Sequence, residues 1–237
     1  MSEPIVVQIR TGKAKEMGEE GAKHPMDRPW KSAIYKQPIT GERLLTELGL
    51  KQDEVGDPVA HGGAEKALFA YPSIHFPKWR QELDIAISEG GFGENLVVEK
   101  MDETSVCLGD VYQLGDAKIE VSQPRRPCWK PARRHRIMDF ALRIQNSGRT
   151  GWYYRVVEEG NISAPAALTL LKRPFPEWTI AAANEVMYVR KKDVAAAKAL
   201  ADCPALAPNW KRSLYKRLEG RESNSRKRVY GPNKEAH

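Results

Sequence analysis

The run Ser122-Gln123-Pro124-Arg125-Arg126-Pro127-Cys128-Trp129-Lys130-Pro131 sets one thiol among prolines and fixed cations. Arg125, Arg126, Lys130, Arg133, Arg134 and Arg136 place six cations within twelve residues, and no carboxylate follows before Asp139. Nearby positive charge favours the thiolate, the form that attacks an electrophile or ligates a soft metal. The same cations suit an anionic cofactor or a phosphate backbone. Proline lacks a backbone donor and fixes φ, so the chain is expected to leave the sheet here as a stiff loop presenting Cys128. The competing reading makes Cys128 an inert buried hydrophobe, the common state of a free cysteine, and that reading is kept for Cys107 and Cys203.

Two further clusters carry chemistry. In His61-Gly62-Gly63-Ala64-Glu65-Lys66 the paired glycines permit positive φ and close backbone approach to a ligand, while His61 and Lys66 supply a titratable group and a cation. A turn histidine is the plainer reading of the same residues. Gly90-Gly91-Phe92-Gly93-Glu94-Asn95-Leu96 is a flexible loop that delivers a carboxylate and an amide just before a strand. There is no G-x-x-x-x-G-K-[ST], no G-x-G-x-x-G and no C-x-x-C, so P-loop, Rossmann and zinc-ribbon readings lack their residues. A Cys–His hydrolase would require His61 or His135 to face Cys128.

The elements around these clusters are mostly short and β-like. Ile5, Val7 and Ile9 alternate with other residues, a hydrophilic loop spans Lys13 to Arg28, and Ser32–Ile39 is a weaker strand. Glu42–Leu48 is expected to form a short helix stopped by Gly49, and Ser73 to cap a helix through about Leu83. Asn95–Val98, Val111–Leu114 and Lys118–Val121 read as strands, the last two as a hairpin about Gly115-Asp116-Ala117. This pattern argues for a β-barrel or sandwich over a doubly wound sheet. After Pro174 and Pro176 the spacing becomes helical at Ile180, Ala183 and Met187, then Val194, Ala197 and Ala201, then Trp210, Leu214 and Leu218. Such short helices must pack on one another or on the main domain. The expected division is 1–173 barrel, 174–220 three helices, and 221–237 a basic, disordered tail.

Composition bounds the class. The 237 residues are 41% hydrophobic and 29% charged, as in an ordinary globular protein. Three cysteines give no disulfide framework, and no stretch approaches the roughly 18 apolar residues of a membrane span, so a soluble protein of the reducing cytoplasm is expected. The net charge of +7 divides unevenly: residues 1–117 carry 13 Lys+Arg against 20 Asp+Glu, and 118–237 carry 25 against 11. That basic half admits a nucleic-acid partner, with Lys211, Arg212, Lys216 and Arg217 flanking the last apolar stripe.

In combination these clusters resemble the MOSC family, and within it the YiiM-like subgroup. The resemblance rests on His61-Gly62-Gly63 with Lys66-Ala67 and Tyr71-Pro72, Phe92-Gly93-Glu94-Asn95-Leu96, Gly109-Asp110, and Ser122-Gln123-Pro124-Arg125 with Pro127-Cys128 and Lys130. Gln145-Asn146-Ser147-Gly148, Gly151-Trp152 and the three helices continue it, over roughly residues 5–218. Gln52-Asp53 departs from a Gly-Asp often found in the family. The resemblance implies a mainly β, α+β fold: a MOSC-type β-barrel with a few short helices and a small C-terminal three-helix domain. It implies a molybdenum cofactor of the molybdopterin type ligated by Cys128, and reduction of N-hydroxylated bases and related compounds. Catalytic roles then fall to Cys128 and His61, and Gly62, Gly63, Lys66, Asn95, Arg125 and Lys130 become cofactor-binding. With no flavin or nicotinamide motif, a separate flavin or iron–sulfur reductase is the expected electron donor, and a homodimer is the expected assembly. Two rivals stand beside this reading. One is a sulfur carrier using a Cys128 persulfide, as in cofactor sulfurases that accompany a pyridoxal-phosphate desulfurase; the other is nucleic-acid binding.

Overall fold

The computed structural model describes residues 3–221 and 224–234. Strands β1 (Ile5–Thr11), β2 (Lys15–Met17), β3 (Trp30–Ser32), β4 (Gln37–Ile39), β5 (Arg43–Thr46) and β6 (Gly49–Leu50) fill the first fifty residues. There follow β7 (Leu68–Pro72), β8 (Leu96–Glu99), β9 (Val111–Leu114), β10 (Ala117–Pro124), β11 (Trp152–Glu158), β12 (Gly160–Ile162), β13 (Ala166–Ala167) and β14 (Thr169–Lys172). The main sheet runs β13-β1-β8-β7-β11-β10-β9-β14, with only β7 and β8 parallel. Its two ends belong to one segment, since β13 and β14 are separated only by Leu168. That segment returns the sheet on itself, so the strands curl into the expected barrel.

Alternation along β7 shows how the barrel divides its contacts. Leu68 and Ala70 join the inner core with Val6, Ile9, Leu96, Ile119 and Tyr154, while Phe69 and Tyr71 face outward. The outward face is covered by helices α2 (His75–Leu83), α3 (Trp129–His135) and α4 (Phe140–Ser147), which follow the single turn α1 (Pro58–His61). Phe69, Tyr71, Phe76, Trp79, Phe92 and Phe140 make up most of this second core. All five residues of β7 are therefore buried.

Helices α5 (Ile180–Tyr188), α6 (Val194–Asp202) and α7 (Pro208–Leu218) share the barrel's core rather than forming their own, because Ile180, Ala183, Met187, Leu200, Trp210 and Leu214 continue it. Backbone bonds fasten the join: Leu108 N–H to the Trp178 carbonyl at 2.9 Å, Ile180 N–H to that of Val106 at 2.8 Å, and Ala207 N–H to that of Ser122 at 3.0 Å. Arg217, offered above as a phosphate contact, donates to the Val186 and Met187 carbonyls at 2.9 and 2.7 Å. It thus engages the last carbonyls of α5. No helix among the described residues is long and apolar enough to cross a membrane.

Five local expectations are corrected. Glu42–Leu48 forms no helix: its centre is β5, paired with β12 and β6, and Leu45 is buried while Leu44 is exposed. Seven residues cannot nucleate a helix against that pairing. Of Ser32–Ile39 only Gln37–Ile39 forms a strand of its own, β4, with Ser32 ending β3, and the loop from Lys13 contains β2, paired with β3. The stiff loop of 122–131 shrinks to Arg125–Cys128, because β10 continues against β11 to Pro124 and α3 begins at Trp129. Pro131 stands in the first turn, where its missing donor costs nothing. The tail is ordered where described: α8 (Arg226–Tyr230) and a turn over Gly231–Asn233 bury Val229 and Asn233. Residues 222–223 and 235–237 of that call lie outside the described residues.

Trp210 is fully buried where helices and barrel meet. Trp210→Ala should lower stability by about 3–5 kcal/mol, read as a fall in the urea midpoint with unchanged slope.

Candidate active site

A cleft on the barrel collects His61, Gly62, Gly63, Lys66, Asn95, Arg125, Cys128 and Lys130, every site residue named from the sequence. Cys128 enters it as the residue just before α3, and His61 as the last residue of α1. Asp57 caps α1 through Ala60 N–H at 3.1 Å, and Pro58 begins it, which fixes a helix of a single turn. Gly62 then turns the chain so tightly that a Cβ would meet the Pro58 carbonyl, and Gly63 takes φ +93°. The outcome is His61 Nε2 at 3.4 Å from Cys128 Sγ. His135, the other imidazole considered for this role, instead bonds the Gly91 carbonyl at 2.8 Å.

The thiol responds to this setting. Burial alone would push the Cys128 thiol up, but the hydrogen bond and charge of His61, the Arg125 charge and the Lys130 backbone N–H together bring it down to about 6. Cys107 and Cys203 go the other way, raised chiefly by burial.

The structure separates cations that face the cleft from cations that brace it. Arg125 lies over the Phe69 ring at 4.9 Å and keeps a buried Nη1 without a hydrogen-bond partner. Lys130 is buried beside Trp129, and Lys66 donates to the Ala60 carbonyl at 2.7 Å, so it also ties down α1. Outside this group, Arg133 donates to Asn233 and to the Arg28 and Pro25 carbonyls, Arg134 to the Ile34 and Gly90 carbonyls, and Arg136 to Asp27. Arg126 reaches Ser213 on α7 at 2.8 Å. The sixfold cluster is therefore not a single anion site: four of its members are structural.

Asn95 also braces the cleft. It lines the cleft, but its Oδ1 accepts Phe69 N–H at 3.2 Å and its Nδ2 donates to the Arg10 carbonyl at 3.2 Å and Asp53 Oδ2 at 2.8 Å. Its amide is occupied in joining β1, β7 and Asp53. Glu94 turns inward and accepts the Gly90 and Phe92 N–H groups, closing its own loop. Sequence reasoning missed Lys36 and Asp53, an ion pair on the cleft wall, with Gly12 N–H also on Asp53 at 2.7 Å. The only signal was Gln52-Asp53, and Gln52 does take the left-handed φ of +75° that a glycine would adopt there. Phe69, Phe92 and Tyr153 line the apolar side; of these the sequence singled out only Phe92, in the loop before β8.

Residues 57–169 match the MOSC domain family, and 178–221 match the YiiM-like 3-alpha helix domain. Protein YiiM of Escherichia coli (strain K12) is 35% identical over 230 residues, covering 95% of this chain and 98% of that protein. The chain belongs to the MOSC family, in its YiiM-like branch. The crystal structure of YiiM from Geobacillus stearothermophilus superposes with a TM-score of 0.76 at 34% identity, covering 91% of this chain and 99% of that one. A Gibberella moniliformis (strain M3125 / FGSC 7600) protein named "Reductase" is 35% identical over 210 residues, 85% of this chain but 35% of its own length.

MOSC domains are associated at family level with molybdenum-cofactor binding. The residues of this cleft fit such a group. Among the described residues no set of three or more His, Cys, Asp or Glu is arranged to hold a metal ion, whereas a single soft thiolate suits a metal that brings other ligands with it. The unpartnered Arg125 Nη1, with Lys66 and Lys130, suits an anionic group beside it.

The thiol's setting makes a kinetic signature. Iodoacetamide should label Cys128 ahead of Cys107 and Cys203, with a rate that rises through a midpoint of about 6. In His61→Ala the midpoint should climb towards the ordinary thiol value of about 8.5, as followed by peptide mapping across a pH series.

Proposed function

We propose that this MOSC protein is a molybdenum-cofactor-dependent reductase of N-hydroxylated bases and related compounds, with Cys128 as the protein ligand to the metal. The observation that carries the reading is the 3.4 Å contact between Cys128 Sγ and His61 Nε2, on a cleft floor that also holds a partnerless guanidinium nitrogen of Arg125. The reductase-named relative supports a redox role, and it does so over most of this chain.

When bound, the cofactor supplies the two-electron chemistry that removes oxygen from R–NH–OH; with two protons the products are R–NH₂ and water. Cys128 offers a thiolate at neutral pH without needing a base to take its proton, so the ligand is ready before the metal arrives. Arg125, Lys66 and Lys130 balance the negative charge of a pterin phosphate, and Gly62 and Gly63 let backbone approach it. His61 Nε2 lies beside Sγ and, when it carries a proton, is placed to deliver it towards the nitrogen or oxygen of the substrate. Phe69, Phe92 and Tyr153 keep one wall of the cleft dry, which strengthens each of these charges. The electrons come from a separate flavin or iron–sulfur reductase.

Protein made in cells that synthesise the cofactor, purified without oxygen, should carry near-stoichiometric molybdenum and pterin and reduce an N-hydroxylated base with a chemical reductant. Cys128→Ala should lose the metal and the activity together. A folded parent protein with no molybdenum, but with cyanide-labile sulfur on Cys128, would turn the reading to sulfur transfer.

A further inference from the structure

The segment beyond the three-helix domain lies outside both family matches, the second of which ends at residue 221, yet it contacts the chain on both sides of Cys128. Arg228 donates through Nη1 to the carbonyl of Pro127 and through Nη2 to Gln145 Oε1 on α4 at 2.8 Å. Asn233 donates through Nδ2 to the carbonyl of Trp129 at 3.1 Å and accepts from Arg133 Nε at 2.8 Å. The two carbonyls gripped are those of the residues immediately before and after the cysteine. Gly231, at φ +48°, lets the segment lie flat here, because a Cβ would overlap the Trp129 indole. Val229 and Asn233 are fully buried in the contact.

From these contacts we infer that residues 226–233 are a strap that positions Cys128, with Arg228 and Asn233 as its positioning residues. The cysteine stands on a short connection between β10 and α3, where Pro124 and Pro127 contribute no backbone donor. Regular pairing therefore holds this connection only from its β10 side, through Arg125 N–H on the Gly151 carbonyl at 3.0 Å. The strap supplies the opposing grip. Arg133 extends the same tie to the Pro25 and Arg28 carbonyls, so three distant segments meet behind the cysteine. Neither Arg228 nor Asn233 bonds the Cys128 side chain; they act on its backbone, and so on the direction in which Sγ points.

Hydrogen–deuterium exchange on the full chain, read by mass spectrometry in Arg228→Ala and separately in Asn233→Ala, tests this. Both variants should speed exchange in the peptide spanning 125–136 by about tenfold or more, while peptides from β10 and β11 exchange as in the parent protein. The rate of Cys128 alkylation at a fixed pH should change in parallel, and Arg228→Lys, which keeps the charge but loses the two-pronged guanidinium, should retain only part of the protection. Unchanged exchange at 125–136 in both variants overturns the inference. So does acceleration spread equally over the barrel peptides, since that would make the segment a general support. These readouts need no cofactor, so they stand or fall apart from the reductase reading.

Discussion

The contact between the Cys128 thiol and the His61 imidazole joins segments 67 residues apart, and neither segment is held by long regular structure. One is a single helical turn and the other a connection of a few residues. A thiol–imidazole pair shifts proton affinity only while the two atoms stay within hydrogen-bond reach, so both segments must be braced from several sides. Asp57, Gly62 and Lys66 brace the first, and Arg125, the inward end of β10 and the C-terminal strap brace the second. Much of the surrounding architecture answers to that requirement.

Charge is distributed accordingly. Six cations within twelve residues would repel one another if all faced one cleft. Instead Arg133 and Arg134 end on carbonyl oxygens of neighbouring loops, and Arg136 pairs with Asp27. These bonds convert a local excess of positive charge into cross-links among loops that carry few regular backbone bonds. Arg125, whose charge favours the thiolate, and Lys130, whose backbone N–H does the same, are left on the cleft wall. Burying Arg125 with a nitrogen lacking a partner is costly in a protein interior, and an anionic ligand beside it would offset that cost.

What the sequence revealed follows from where its signals were local. The hairpin of β9 and β10, the three C-terminal helices and the cysteine run were legible because turn residues, periodicity and charge density sit within a few neighbouring residues. Glu42–Leu48 misled because its strand is decided by pairing with β12, more than a hundred residues later. The ion pair of Lys36 and Asp53 was illegible for the same reason: Gln52-Asp53 marked a turn but not its partner, and the loop after β3 has to fold back to join them. The tail misled more instructively. Its composition is that of a disordered segment, but one valine, one asparagine and one arginine suffice to fix it once a complementary surface exists on α3 and α4.

The proposed reductase requires Cys128 to bond a molybdenum centre in this cleft. Anomalous diffraction at the molybdenum edge, from crystals of the protein loaded with its cofactor, tests it directly. One strong anomalous peak within bonding distance of Cys128 Sγ, with His61 and Arg125 beside it, is the expected result. A peak elsewhere on the barrel, with the Cys128 thiol unbound, would contradict it.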